Sequence, residues 1–135
     1  MAPLDLAGRA ALIAKLPIFG GCSDGEIFDL ASAARPIAFD AGDLLCDAGA
    51  DSPECYVVAE GRAEVSIGVY VIDEIGPVQV VCERGPIENK PRRATVRAAT
   101  EMVTYAISRE EIQGLMERSP KAAGTMRDEL LRRYG

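Results

Sequence analysis

Residues 76–95 read GPVQVVCERGPIENKPRRAT, and the rest of the protein is organised around them. The stretch opens on Gly76-Pro77, passes through a short β-like run (Val78, Gln79, Val80, Val81) and places one carboxylate, Glu83, nine residues before Arg92. Arg92 follows Pro91 and precedes Arg93, Ala94 and Thr95, the pattern of a loop re-entering a strand. An acid and a base therefore stand at the two ends of one excursion. A carboxylate only accepts hydrogen bonds and a guanidinium only donates them. Such a pair suits a ligand with both a hydroxyl donor and an anionic group, as a sugar phosphate has.

Upstream, residues from about Leu4 to Leu16 read as a short helix stopped by Pro17. After Phe19 and the Gly20-Gly21 turn, Ser23-Asp24-Gly25-Glu26 forms a capping box. The helix it starts carries Ile27, Leu30 and Ala31 at helical spacing and ends before Pro36. From Ile37 to about Thr104 the texture changes to short β-like runs punctuated by Gly42, Gly49, Gly61, Gly68, Gly76 and Gly85, the turn spacing of a compact all-β barrel or sandwich. Ala63, Val65 and Ile67 alternate with Glu64 and Ser66, the period of a half-buried strand, and Val69, Val71 and Ile75 continue on the returning side. Thr95–Ala98 and Met102–Ile107 read as the last strands. Ser108, with Glu111 at the capping-box position, starts a helix striped by Ile112, Leu115 and Met116. Ser119-Pro120 ends it and starts another, along which Ala123, Met126 and Leu130 share a face.

Composition narrows the function classes. The 135 residues allow one domain of ordinary size. Aromatic residues make up only 5%, so the core is built mainly from Val, Ile, Leu and Ala. A net charge of −6 argues against general nucleic-acid binding, which draws its affinity from phosphate neutralisation. The charge is uneven: residues 1–85 carry 14 acids against 5 bases, and residues 86–135 carry 7 against 10. An anionic ligand meets its favourable field in the second part. The four cysteines (Cys22, Cys46, Cys55, Cys82) show no metal-ligand spacing and there is no histidine, so neither a zinc site nor histidine-based catalysis is expected. No apolar run reaches membrane-spanning length and no signal peptide is recognisable, so reduced thiols in a cytoplasmic protein are the expectation.

Val81-Cys82-Glu83 and Pro91-Arg92-Arg93-Ala94-Thr95 resemble, without a gap, the phosphate-binding cassette of the cyclic nucleotide-binding domain, which reads Phe-Gly-Glu, a short apolar helix, then Pro-Arg-x-Ala-Thr. The opening helix, the Pro17-x-Phe19 turn and the pattern Phe39-x-x-Gly42, Gly49, Tyr56-x-Val58-x-x-Gly61 resemble the same family. The resemblance implies a mainly β fold with flanking helices: a cupin-like double-stranded β-helix or jelly-roll barrel of about eight strands, with N-terminal helices and two C-terminal helices. The single domain, 1–135, divides into a helical segment (1–35), the barrel (36–107) with its cassette (76–95), and the C-terminal helices (108–135).

By the same resemblance Glu83 accepts from the ribose 2′-hydroxyl, Arg92 pairs with the cyclic phosphate, and the N–H groups of Gly85 and Arg93 complete the cradle. Cys82 and Arg84 belong to the same ligand-facing turn, and Tyr134, or else Met126 or Leu130, is placed to close over the base as a lid. The departures are Cys82 for the family's glycine, Arg84-Gly85-Pro86 for apolar residues of the cassette helix, and Arg93 where a small residue or hydroxyl helps separate cAMP from cGMP. The expected ligand is a cyclic nucleotide, cAMP first and cGMP second, with no resident cofactor. The expected role is a non-enzymatic regulatory module that signals through its C-terminal helices to a protein effector or a second copy of itself. DNA binding and membrane insertion are not expected, since nothing follows Gly135 that could serve as a recognition helix or a pore. The alternative is a module of the same fold that has lost its ligand and binds a protein partner, to which Cys82, Pro86 and Arg93 point.

Overall fold

The computed structural model describes residues 3–49, 54–88 and 94–134. The protein opens with α1 (Leu6–Ala14), a 3-10 turn at Pro17–Phe19, and α2 (Asp24–Ala33). Helix α1 starts two residues later than its apolar pattern suggests because Asp5 caps it, its side chain accepting from Gly8 N–H at 2.8 Å. The capping box on α2 is complete: Ser23 Oγ accepts from Glu26 N–H at 3.2 Å, and Glu26 Oε1 accepts from Ser23 N–H at 2.8 Å. Ser23→Ala removes one of these bonds and is expected to cost about 1 kcal/mol, readable as a lowered urea midpoint with an unchanged m-value.

Eight strands follow: β1 (Arg35–Phe39), β2 (Leu44–Cys46), β3 (Glu54–Glu60), β4 (Ala63–Ile67), β5 (Tyr70–Ile75), β6 (Gln79–Val81), β7 (Thr95–Ala98) and β8 (Met102–Ser108). A short helix, α3 (Arg84–Glu88), separates β6 from the 89–93 segment, and α4 (Arg109–Arg118) and α5 (Pro120–Tyr134) complete the fold. The mainly β, helix-flanked fold agrees with the sequence reading, but the expected barrel does not close. The described strands form two four-stranded antiparallel sheets, ordered β1-β8-β3-β6 and β2-β7-β4-β5. Strands of only three residues at β2 and β6 leave too few ladder bonds to seal the seams.

At its centre the first sheet is buried on both faces. Val57 and Val58 are consecutive on β3 and both fully buried, so they point to opposite sides. Val57 joins the helix-covered core with Ile13, Phe19, Leu30, Tyr105, Ile112 and Met126. Val58 joins the smaller core between the sheets, with Ala63, Ile75, Val81, Val96 and Met102. Ser108 Oγ accepts from Glu111 N–H and Ser119 Oγ from Ala122 N–H, each at 3.2 Å, so both serines cap as their sequence context indicates. Pro120 occupies the first turn of α5, where its missing N–H costs nothing.

The β4–β5 hairpin corrects one detail. Ile75 is buried, but Val69 and Val71 are exposed. A bulge between Val65 and Ser66 re-phases the register, pairing Val65 with Asp73 and Ser66 with Val71. Strict alternation through the hairpin is thereby broken, and Val71 falls opposite Ser66 rather than into the core.

Candidate functional site

Glu83 is 1% exposed, an unusual burial for a carboxylate. It lies in the turn between β6 and α3, its backbone carbonyl accepts from Ile87 N–H at 3.1 Å, and its Oε1 accepts from Arg133 in the last turn of α5 at 2.8 Å. The first and last parts of the site are thus joined by one charge-assisted bond spanning 50 residues of sequence. The Glu83 charge also reaches Cys55 on β3, whose thiol is pushed far up, foremost by burial and then by that carboxylate.

Cys82 explains why the family pattern has glycine at this position. Its φ is 63°, in the left-handed region that side chains disfavour. The requirement there is conformational, not merely close approach of a ligand. Its fully buried side chain turns toward Cys46 on β2, with the sulfurs 2.6 Å apart.

The three residues after Glu83 do form a helix despite their composition. Pro86 falls within the first turn of α3, where an N–H has no intrahelical acceptor, so its ring is tolerated. Gly85, Pro86 and Ile87 are buried. Arg84 pairs with Glu88 at 2.8 Å, and Gln113 of α4 donates to the C=O groups of Pro86 and Ile87, pinning α3 to α4. Arg92 and Arg93 lie outside the described residues. Beyond them, Thr95 Oγ1 donates to Asp47 Oδ1 at 3.0 Å and accepts from Ala48 N–H at 3.1 Å. Thr95 therefore ties the start of β7 to the exit of β2, a role the motif alone does not reveal.

A cavity of about 260 Å³ opens beside Glu83, between the inner faces of β4, β5 and β7 and the end of α5. Val65, Asp73, Cys82, Glu83, Val96 and Arg133 contribute to its wall. Its size lies near the lower end of small-molecule sites, and its lining combines apolar surface with a few convergent charges. A second cavity of equal volume lies on the other side of Arg133, against the Pro17–Phe19 turn and β6, but it does not include Glu83.

The sequence profile of the cyclic nucleotide-binding domain matches residues 36–119, well over half of the protein and nearly all of the strand residues. The chain belongs to the cyclic nucleotide-binding domain family. It is 31% identical over 131 residues to a cyclic nucleotide-gated potassium channel of Rhizobium etli, an overlap that takes in 97% of this chain and 37% of the channel. The chain spans about a third of the length of the curated relatives it matches. Among solved structures, the regulatory domain of Toxoplasma gondii PKA, crystallised with cAMP, superposes with a TM-score of 0.79 at 18% identity, covering 96% of this chain and 50% of that one. The regulatory subunit of a cAMP-independent protein kinase A from Trypanosoma brucei superposes with a TM-score of 0.78 at 19% identity, covering 84% and 42%. These two likenesses fix the fold: two sheets with helices at both ends, as in PKA regulatory domains.

Among the residues singled out in the sequence, Cys82, Glu83, Arg84 and Gly85 lie together at the β6–α3 junction, with Cys82 and Glu83 in the cavity wall. Met126 and Leu130 are buried in the helical core, which removes them as lid candidates. Tyr134 ends α5, its side chain outside the described residues. Sequence reasoning missed Arg133 and Asp73. Positions 133 and 134 both continue the helical face of Met126 and Leu130, and periodicity alone cannot choose between them. The useful signal was chemical: a buried Glu83 requires a cation. Among the described residues no helix is long and apolar enough to cross a membrane.

Proposed function

We propose that this domain binds a 3′,5′-cyclic nucleotide and passes its occupancy to a partner through α5. The observation that carries the reading is the buried Glu83, which faces a cavity while its carboxylate is held by the final helix. In this reading the ribose 2′-hydroxyl donates to Glu83, and Arg92 and the N–H groups of Gly85 and Arg93 hold the cyclic phosphate. Glu83 then has to share, or exchange, the carboxylate that engages Arg133. Ligand occupancy and the position of the end of α5 become linked, and linkage of this kind is reciprocal: a partner that selects one position of α5 alters nucleotide affinity by the same factor. The partner is a protein effector or a second copy of the domain, and the role is regulatory rather than catalytic.

The test is calorimetric titration of the 135-residue protein with cAMP and with cGMP, beside Arg92→Ala. A charged hydrogen bond contributes about 1.5–3 kcal/mol. Arg92→Ala should therefore weaken binding by roughly ten- to a hundred-fold, with the thermal transition unchanged. An unaltered affinity refutes the phosphate assignment. The prior engagement of Glu83 by Arg133 favours one other reading, a ligand-free interaction module whose last helix is permanently latched. No heat with either nucleotide from folded protein would decide for that alternative.

A further inference from the structure

We infer that Asp73 reads the base of the bound nucleotide and tilts the site toward guanine. The inference rests on the cavity beside Glu83 being the cyclic nucleotide site. On β5 the pairing Ala63↔Ile75, Glu64↔Glu74, Val65↔Asp73 assigns faces. Ala63 and Ile75 are buried between the sheets, so Asp73, two residues from Ile75, is on the same inward side and contributes to the cavity wall. The inward row is otherwise apolar here, and a carboxylate in it does not serve packing. Nor does it serve the ion pair of this strand, because Arg62 reaches Glu74 on the opposite face at 3.1 Å. Asp73 Oδ1 accepts from Glu74 N–H at 2.8 Å, which steadies the side chain and leaves acceptor capacity on both oxygens for donors from the cavity.

With the ribose fixed at Glu83, the base extends along the same cavity toward this wall. The two purines differ in what they offer a carboxylate, which is acceptor-only. Guanine presents a ring N–H next to an exocyclic amino group, two adjacent donors that match the two oxygens. Adenine presents an amino group next to a bare ring nitrogen, so one contact is gained and a lone pair is set against a lone pair. An asparagine side chain inverts the match, since its donor and acceptor suit adenine. The expectation of cAMP as first ligand is thereby reversed at a position outside the cassette.

The experiment is competitive titration of the intact protein with cGMP, cAMP and cIMP, the last keeping the ring N–H of guanine but lacking its amino group. It is run on wild type, Asp73→Asn and Asp73→Val. Asp73 is exposed on an edge strand, so both variants should keep the wild-type thermal transition. Wild type is expected to bind cGMP about ten-fold more tightly than cAMP, with cIMP between them. Asp73→Asn should reverse the order, and Asp73→Val should bring the nucleotides within about two-fold of one another. If wild type binds both and Asp73→Asn leaves their ratio unchanged, or weakens all three equally, the base assignment is overturned while the nucleotide site stands. If folded wild type binds none of them, the site and the assignment fail together.

Discussion

Gly61→Ala is expected to destabilise the domain by roughly 2–5 kcal/mol, a large part of the 5–15 kcal/mol typical of a whole domain. Gly61 makes the turn from β3 to β4, where the backbone leaves one sheet for the other, and its φ is 87°. A methyl group there meets two penalties. The left-handed backbone costs a side chain about 1–2 kcal/mol. In addition, the new Cβ would lie 2.1 Å from the C=O oxygen of Glu101 and 2.9 Å from Met102 Cα, backbone atoms that cannot turn aside. That contact is tight because the neighbouring residue is stitched to the same loop. Arg62 C=O accepts from Ala99 and Thr100 N–H at 2.9 and 3.3 Å, and Arg62 N–H donates to Thr100 Oγ1 at 3.0 Å. Relief of the clash must pry the β3–β4 corner from the β7–β8 connection and splay both sheets. Gly42→Ala is the control, since Gly42 has φ 93° but open space where its Cβ would be. Urea denaturation should show Gly42→Ala losing only the conformational part. Equal losses in the two variants would show that the corner yields freely and would remove the steric argument.

How much of this was legible in the sequence depends on whether the deciding interaction is local. Ser23, Ser108 and Ser119 were readable as caps because their partners are three residues away. The β4–β5 hairpin was readable because alternation and the glycine turn sit in one short window. The bulge at Val65/Ser66 was not, because a single extra residue changes which side chains face inward without leaving a compositional mark. Asp73 shares the face of Ile75 by plain alternation, but that this face borders the cavity beside Glu83 is set by the packing of distant elements and has no local mark in the sequence. The cassette motif pointed to Glu83 but missed what holds it. Arg133 is distant in sequence and adjacent to the more conspicuous Tyr134, and only the approach of α5 to the β6–α3 turn brings guanidinium and carboxylate together. Cys82 is the converse case. The motif flagged it as a departure, but only its φ identifies what the family's glycine is for.

The Glu83–Arg133 bond leads to the second large effect. Glu83→Gln keeps the shape and one acceptor but removes the charge, so nucleotide affinity should fall roughly ten- to a hundred-fold or more. Arg133→Ala removes only the helix partner, and its signature differs. Amide hydrogen exchange in the last turn of α5 should quicken by about ten-fold in the free protein, because that turn loses its tie to the sheets while the rest of α5 stays packed through Met126 and Leu130. Combining the two substitutions should quicken exchange little beyond Arg133→Ala alone, since both act on one bond and neighbouring effects of this kind do not add. The decisive comparison is between free and nucleotide-bound protein. In wild type, binding should change exchange in the last turn of α5. In Arg133→Ala that change should disappear even where nucleotide still binds, because occupancy of Glu83 then has no lever on the helix. A nucleotide-dependent change that survives in Arg133→Ala would place the coupling elsewhere, in α3 and its contacts with Gln113, and the latch would be a feature of stability alone.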